Sequence, residues 1–282
     1  MTSATITATT PPEESTRRLA LLIDADNAQP SVIEALLAEV ARFGETTVRR
    51  IYGDFTSPGS AGWKKCLNRY SIKPIQQFAY TTGKNATDGT MIIDAMDLLY
   101  TRRFDGFCLV TSDSDFTGLA VRLREEGLQV FGFGEQKTPE AFRNACHRFI
   151  FTEVLRPAPP PLPEPGEESI VPNKLHDDGS IPIDSTTPAE PSHRQSTLDS
   201  PPFPRDFLLQ ALEQSADESG WSNLGTFGSY LRKIQPDFDS RLHGFRKLSD
   251  LVRGRPDLFL VEERPSATGS LGVLYVKAHA KG

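Results

Sequence analysis

The sequence predicts an α/β fold, a doubly wound parallel sheet over residues 17–156, followed by a small α+β module. Three observations carry this expectation. From Leu19 to Val154, short apolar runs of strand length alternate with runs of helical spacing, the pattern of strands joined by crossover helices. A stretch from Pro157 to Pro204 then holds 13 of the 22 prolines and almost no apolar periodicity, so it reads as a linker. Beyond it, the stretch 205–282 offers three helical spacings and two strand-like runs, the outline of a winged helix.

The elements follow in order. Leu19–Asp24 (LALLID) is a short apolar strand. Ser31–Phe43 places Val32, Ile33, Leu36, Leu37 and Val40 at helical spacing behind Ser31 as a cap. Val48–Gly53 is a second strand, Trp63–Tyr70 a helix and Lys73–Gln77 a third strand. Thr90–Tyr100 carries Ile92, Ile93, Met96 and Leu99 along a helix. Gly106–Asp113 (GFCLVTSD) opens as the most strand-like run of the chain. Phe116–Glu126 is helical and stops at Gly127. Leu128–Gly134 is a strand, Pro139–Ala145 a helix and Phe149–Val154 a last strand. In the C-terminal block, Arg205–Ser215, Leu224–Ile234 and Gly244–Val252 are helices, and Leu258–Glu262 and Leu271–Lys277 are strands. The organisation is therefore a disordered tail at 1–16, an α/β domain at 17–156, a disordered linker at 157–204 and a winged-helix domain at 205–282. A flexible linker of that length spans roughly 35–40 Å, which leaves the relative orientation of the two domains open.

Charge sharpens the function classes. The net charge is −6, which excludes a strongly basic nucleic-acid coat. Yet the acid is concentrated. Residues 1–16 carry −2 and residues 157–204 carry −6, whereas 17–156 and 205–282 each carry +1. A local basic groove on either domain stays compatible with the total. No uncharged apolar run approaches the ~18 residues of a membrane span, so no membrane is expected. The N-terminus has no basic segment followed by an apolar core, so it does not read as a secretory signal. Cys66, Cys108 and Cys146 are odd in number, lack metal-ligand spacing and sit beside apolar residues; buried free thiols and a cytoplasmic setting are expected.

In a doubly wound sheet, sites form beyond the carboxyl ends of the strands. There the first strand runs into Asp24-Ala25-Asp26-Asn27, and the strand from Gly106 runs into Ser112-Asp113-Ser114-Asp115. The loop Thr81–Gly89 brings Asp88, with Asp94 six residues on and about 120° further round the helix. Carboxylates gathered on three loops repel one another, and a divalent cation such as Mg²⁺ or Mn²⁺ neutralises them. Such a site suits phosphodiester hydrolysis. Each acid singly also fits a cap or turn, and Asp115 before Phe116–Glu126 fits an N-cap well. Thr111 and Ser112 are candidate phosphate donors or turn residues. Lys84 leads into Asp88 and is a candidate substrate contact. Lys64, Lys65 and Arg69 read as a solvated helix face.

Ile23–Asn27 (IDADN), Asn85–Asp97 (NATDGTMIIDAMD), Leu109–Phe116 (LVTSDSDF) and the continuation to Arg124–Gly134 together resemble the NYN domain, a branch of the PIN-like nucleases. The resemblance runs from Leu19 to Val154. It implies a PIN-like (Rossmann-like) fold and metal-dependent cleavage of RNA, hence a hydrolase acting on phosphodiester bonds. It also implies Asp24, Asp88 and Asp113 as metal ligands for Mg²⁺ or Mn²⁺, Asn27 as a positioning residue and Asp115 as further support. Asp94 is a weaker candidate and Asp26 an outer one. Trp221–Phe238 and Phe238–Val252, with the strand runs Phe259–Glu263 and Val273–Lys277, resemble the OST-HTH or LOTUS domain. That resemblance implies a module that binds RNA or a protein partner. Arg232, Lys233, Arg241, Arg246 and Lys247 cluster on its second and third helices and can neutralise phosphates. His243 reads as a turn residue and Trp221 as core. The reading is a metal-dependent ribonuclease tethered to an RNA-targeting module. The alternatives are a non-catalytic RNA-binding regulator and a protein-interaction scaffold. The downstream SDSDF run argues against a dehalogenase-type phosphohydrolase built on Asp24-Ala25-Asp26.

Overall fold

A computed structural model of the 282-residue chain describes residues 16–56, 60–78, 86–156, 202–265 and 272–279. The N-terminal tail, Lys84 and the linker from 157 to 201 lie outside the described residues.

Six parallel strands form the first sheet in the order β3-β2-β1-β4-β5-β6. They are β1 (Arg18–Asp24), β2 (Glu45–Gly53), β3 (Lys73–Gln76), β4 (Gly106–Val110), β5 (Gln129–Gly134) and β6 (Arg148–Phe151). Helices α1 (Ile33–Val40), α2 (Ala61–Arg69), α3 (Ala86–Tyr100), α4 (Thr117–Glu125) and α5 (Glu140–Ala145) connect them. β1 and β4 are buried on both faces, as their unbroken apolar runs require. One core layer gathers Leu22, Met91, Phe107 and Phe116 beneath α3 and α4. The other gathers Leu21, Ile33, Trp63 and Phe133 beneath α1 and α2. This is the doubly wound α/β architecture the alternation predicts, and it fits the PIN-like fold the resemblance implies.

The strand order reverses between β1 and β4, and Asp24 and Asp113 stand at the carboxyl ends of those two strands. Such a reversal opens a crevice between the connections that leave to opposite faces. Two glycines let the chain close tightly there. A Cβ on Gly134 would lie 2.5 Å from the carbonyl oxygen of Thr111, and one on Gly53 would lie 2.8 Å from the Ala25 Cβ.

The C-terminal block packs α6 (Arg205–Ser215), α7 (Leu224–Ile234) and α8 (Leu248–Gly254) against a three-stranded antiparallel sheet ordered β7-β9-β8. Leu208, Phe227, Leu251, Phe259 and Val276 form its core. β8 (Phe259–Arg264) and β9 (Val273–Ala278) are the expected hairpin. β7 (Trp221–Asn223) is an added strand of three residues, too short to show a period in the sequence. This places Trp221 differently from the core position expected of it. It is half-buried at the sheet edge, with the Arg264 guanidinium 5.0 Å from its ring centroid, a cation–π contact. His243 ends a short 3-10 turn (Ser240–His243) and packs between Phe203 and Phe238.

The two blocks touch, a point on which the linker leaves the sequence silent. Their described residues fall in one compact unit. Glu39 of α1 accepts from Arg241 at 3.1 Å, Arg143 of α5 pairs with Asp237, and the edge strand β6 donates from Phe149 N to the Pro236 carbonyl at 2.9 Å. The proximity of the C-terminal block thus shields an otherwise open sheet edge. Among the described residues no helix is long and apolar enough to cross a membrane.

Candidate active site

Asp24 ends β1 with its side chain fully buried. An ionised carboxylate there needs donors, and it has three. Its Oδ1 accepts from the Asp26 backbone N–H at 3.0 Å. Its Oδ2 accepts from the Asn27 amide at 2.7 Å and from the Thr111 hydroxyl at 3.0 Å. Burial nevertheless outweighs these bonds and pushes the carboxyl above its ordinary value, as desolvation does to any acid.

Thr111 is the joint between the two strand ends. It is buried just past β4, its own N–H bonds to the Phe133 carbonyl of β5, and its hydroxyl oxygen accepts from Asp113 N at 3.1 Å while donating to Asp24. Ser112 is buried too and accepts from Glu135 N at 2.9 Å. The Thr111 hydroxyl proton is thus engaged by Asp24 rather than presented as a phosphate donor, while Ser112 is buried with its oxygen accepting from Glu135 N. Asp113 in turn caps the short turn Ser114–Phe116, accepting from Asp115 N at 2.9 Å. Asp113, rather than Asp115, is the capping acid here, and what it caps is the 3-10 turn that precedes α4; α4 itself starts behind Phe116 without a side-chain cap.

Asp88 lies in the first turn of α3, which begins four residues earlier than the apolar periodicity indicates. One oxygen each of Asp88, Asp113 and Asp115 lies within 4.8 Å of the others. Asp88 and Asp113 are half-buried and Asp115 is exposed. Burial first, then the charges of Asp24, Asp113, Asp115 and Asp26, push the Asp88 carboxyl up to about 6. Three carboxylates gathered this closely, one of them displaced upward by burial and like charges, form a set that could hold a metal ion.

Of the residues selected from sequence, the structure brings together Asp88, Asp113 and Asp115, with Asp24 near enough to act on Asp88 and Asn27 bound to Asp24. Asp26 contributes its backbone to Asp24 while its side chain is exposed. Asp94 is elsewhere, taken up by Arg50 and the Tyr52 hydroxyl of β2. Burial and that bond push the Tyr52 phenol upward. Lys84 lies outside the described residues. Arg241 is engaged with Glu39 and Asp239 rather than presented to solvent, while Arg232, Lys233, Arg246 and Lys247 are exposed. Sequence reasoning misses the joining role of Thr111. Its one signal, a position two residues before Asp113, is legible but unspecific.

The family model described as the NYN domain matches residues 18–154, and the model described as the OST-HTH/LOTUS domain matches residues 199–271. Among solved structures, the chain is similar to a solution NMR structure of an uncharacterized protein of Nitrosomonas europaea. The two share 48% identity over 36% of this chain and 95% of that one, with a TM-score of 0.29. It is also similar to a crystal structure of a protein of unknown function from Vibrio parahaemolyticus, at 16% identity over 49% of this chain and 94% of that one, with a TM-score of 0.42. No curated protein matches the chain.

Proposed function

We propose that this chain, which carries an NYN domain at 18–154 followed by an OST-HTH/LOTUS domain at 199–271, is a metal-dependent ribonuclease directed to RNA by its winged-helix module. The observation that supports this most is the meeting of Asp88, Asp113 and Asp115 within 4.8 Å at the strand-order reversal, beside a buried Asp24. The donor set fits the family's cation. It is all carboxylate oxygen, as Mg²⁺ and Mn²⁺ prefer, and it is self-repelling without one.

Asp88, Asp113 and Asp115 would hold the cation, and Asp24 backs them with a buried negative charge. Asp24, the third acid of the Asp24, Asp88 and Asp113 set read from the sequence, is fully buried and accepts three hydrogen bonds, its Oδ1 keeping a lone pair for a cation. When bound, a divalent cation supplies Lewis acidity toward a phosphoryl oxygen and a water acidified toward neutral pH. The chain's residues do the positioning. Asn27 and Thr111 clamp Asp24 in one rotamer. Thr111 ties Asp113 to the same carboxylate, so the two strand ends move as one body. Exposed Asp115 is the acid most open to an incoming strand. Free Cys66, Cys108 and Cys146 accord with a reducing, cytoplasmic setting, although Cys66 is only half-buried.

The test is cleavage of single- and double-stranded RNA and DNA with Mg²⁺ or Mn²⁺. RNA should be cut, and Asp113→Asn should lower the rate by about 100-fold or more, since it removes a charged ligand while the Asn oxygen can still accept from Asp115 N and keep the loop's cap. RNA left uncut with either ion, or a fully active Asp113→Asn protein, defeats the reading.

A further inference from the structure

A second charged feature lies at the other end of the first sheet. In a parallel sheet all strands start on one side, and the starts of β5 and β6, Gln129 and Arg148, line a cleft of about 640 Å³. The acids stand at the ends of β1 and β4. Five to seven residues of strand at about 3.3 Å each separate the two regions by roughly 20 Å.

The cleft is composite. Arg42, Arg124 and Arg148 come from the α/β block, and Arg232 and Lys233 come from the last turn of α7. No acid lines it. An adjoining hollow shares Arg42, Arg148 and Arg232 and adds Arg246 and Lys247, with Asp239 as its one acid. In a chain of net charge −6, this is a local excess of several positive charges. Its cations are incompletely paired. Arg42, Arg148 and Arg241 all turn to the single carboxylate of Glu39, at 3.2, 3.8 and 3.1 Å. Among the described residues, no carboxylate lies within ion-pair distance of Arg124, Arg232, Lys233, Arg246 or Lys247. The floor is aromatic: the Phe43 ring stacks on Phe131 with centroids 4.4 Å apart, and the Arg148 guanidinium sits 5.2 Å from the Phe43 centroid.

We propose that this cleft between the two domains is a binding groove for the phosphate backbone of single-stranded RNA, completed only when α7 closes against the nuclease domain. The proposal rests on RNA being the substrate. The two domains then share one stretch of RNA: the groove holds it by charge, while the acids meet it at the opposite end of the strands. Arg241, pinned between Glu39 and Asp239, acts as a strut that sets the groove's width and leaves phosphate contact to its exposed neighbours. Selection of a strand follows from phosphate spacing and charge, with no reading of base edges.

The experiment is fluorescence-polarisation titration of a labelled single-stranded RNA with the full chain in EDTA, over a range of salt. Three proteins are compared: the parent, Arg42→Gln/Arg232→Gln/Lys233→Gln in the groove, and Lys64→Gln/Lys65→Gln/Arg69→Gln on α2. All six positions are exposed, and both triples change net charge equally. If each groove cation meets one phosphate, the groove triple should flatten the log–log salt slope by about 2 and weaken binding about 50-fold at about 0.15 M salt. The α2 triple should stay within a few-fold of the parent. A groove triple that binds like the parent, or two triples that lose affinity equally, overturns the groove. A parent that binds no RNA in any salt counts against the RNA reading itself.

Discussion

Replacing Asp88 by Asn should stabilise the metal-free protein while abolishing its response to metal. In the folded chain the Asp88 carboxyl is held at about 6, against 3.8 ordinarily, by burial and by four neighbouring acids. A raised carboxyl costs stability when ionised. That cost is fully present above about pH 6, shrinks as pH falls through the folded value, and is gone below the unfolded value. Taken at full burial the displacement corresponds to ~3 kcal/mol; Asp88 is half-exposed and water screens it, so ~1 kcal/mol is the reasonable size. Asn keeps the shape and removes the charge. At pH 8 in EDTA, Asp88→Asn should therefore melt about 2–4 °C higher than the parent; near pH 5 about half of that difference should remain, and it should vanish only below about pH 4. Adding Mn²⁺ at about 100 times its dissociation constant should stabilise the parent by about 2.7 kcal/mol, and the variant far less. Differential scanning calorimetry at both pH values, with and without Mn²⁺, reads all of this. An Asn variant that is less stable at pH 8, a gain equal at pH 5 and pH 8, or equal responses to Mn²⁺ would refute the clustered-charge argument.

Two further outcomes follow from the hydrogen-bond geometry. Thr111→Val keeps the volume but removes the donor to Asp24 and the acceptor for Asp113 N; it should cost about 2 kcal/mol in urea unfolding and lower cleavage through a weaker apparent metal affinity rather than loss of RNA binding. Glu39→Gln leaves Arg42, Arg148 and Arg241 facing a neutral amide; it should destabilise by about 3 kcal/mol and open the junction between the blocks to limited proteolysis, with no gain in either measure at raised salt.

The architecture of both blocks is readable because each element carries its own period. β1 and β4 are continuous apolar runs, and only strands buried on both faces tolerate that. α7 repeats Leu224, Phe227, Leu231 and Ile234, and Leu224, Phe227 and Leu231 pack into the core while Ile234 stays exposed. The acids are readable for a related reason: a parallel sheet must deliver the residue after each strand to the same edge, so Asp24 and Asp113 can be placed together without coordinates. Short elements are not readable. β7 has three residues, too few for a period to register. The first turn of α3 is hidden because Ala86–Gly89 presents no apolar stripe.

What the sequence determined by itself was local: which residues form strands and helices, and which loops carry acids. Partners distant in the chain were decided by tertiary structure alone. Asp94 looks like a ligand in sequence and is an ion-pair partner in space, because Arg50 and Tyr52, more than forty positions away, face it across β2 and α3. Arg241 looks like an RNA contact in sequence and is an ion-pair partner in space, because Glu39 lies opposite it, 202 positions earlier. A cation's role depends on the nearest anion, and sequence order holds no distance between residues on different elements. The charge distribution followed the same rule: segment totals removed an objection to an RNA partner, but only packing α7 against β5 and β6 gathered the basic residues into a groove.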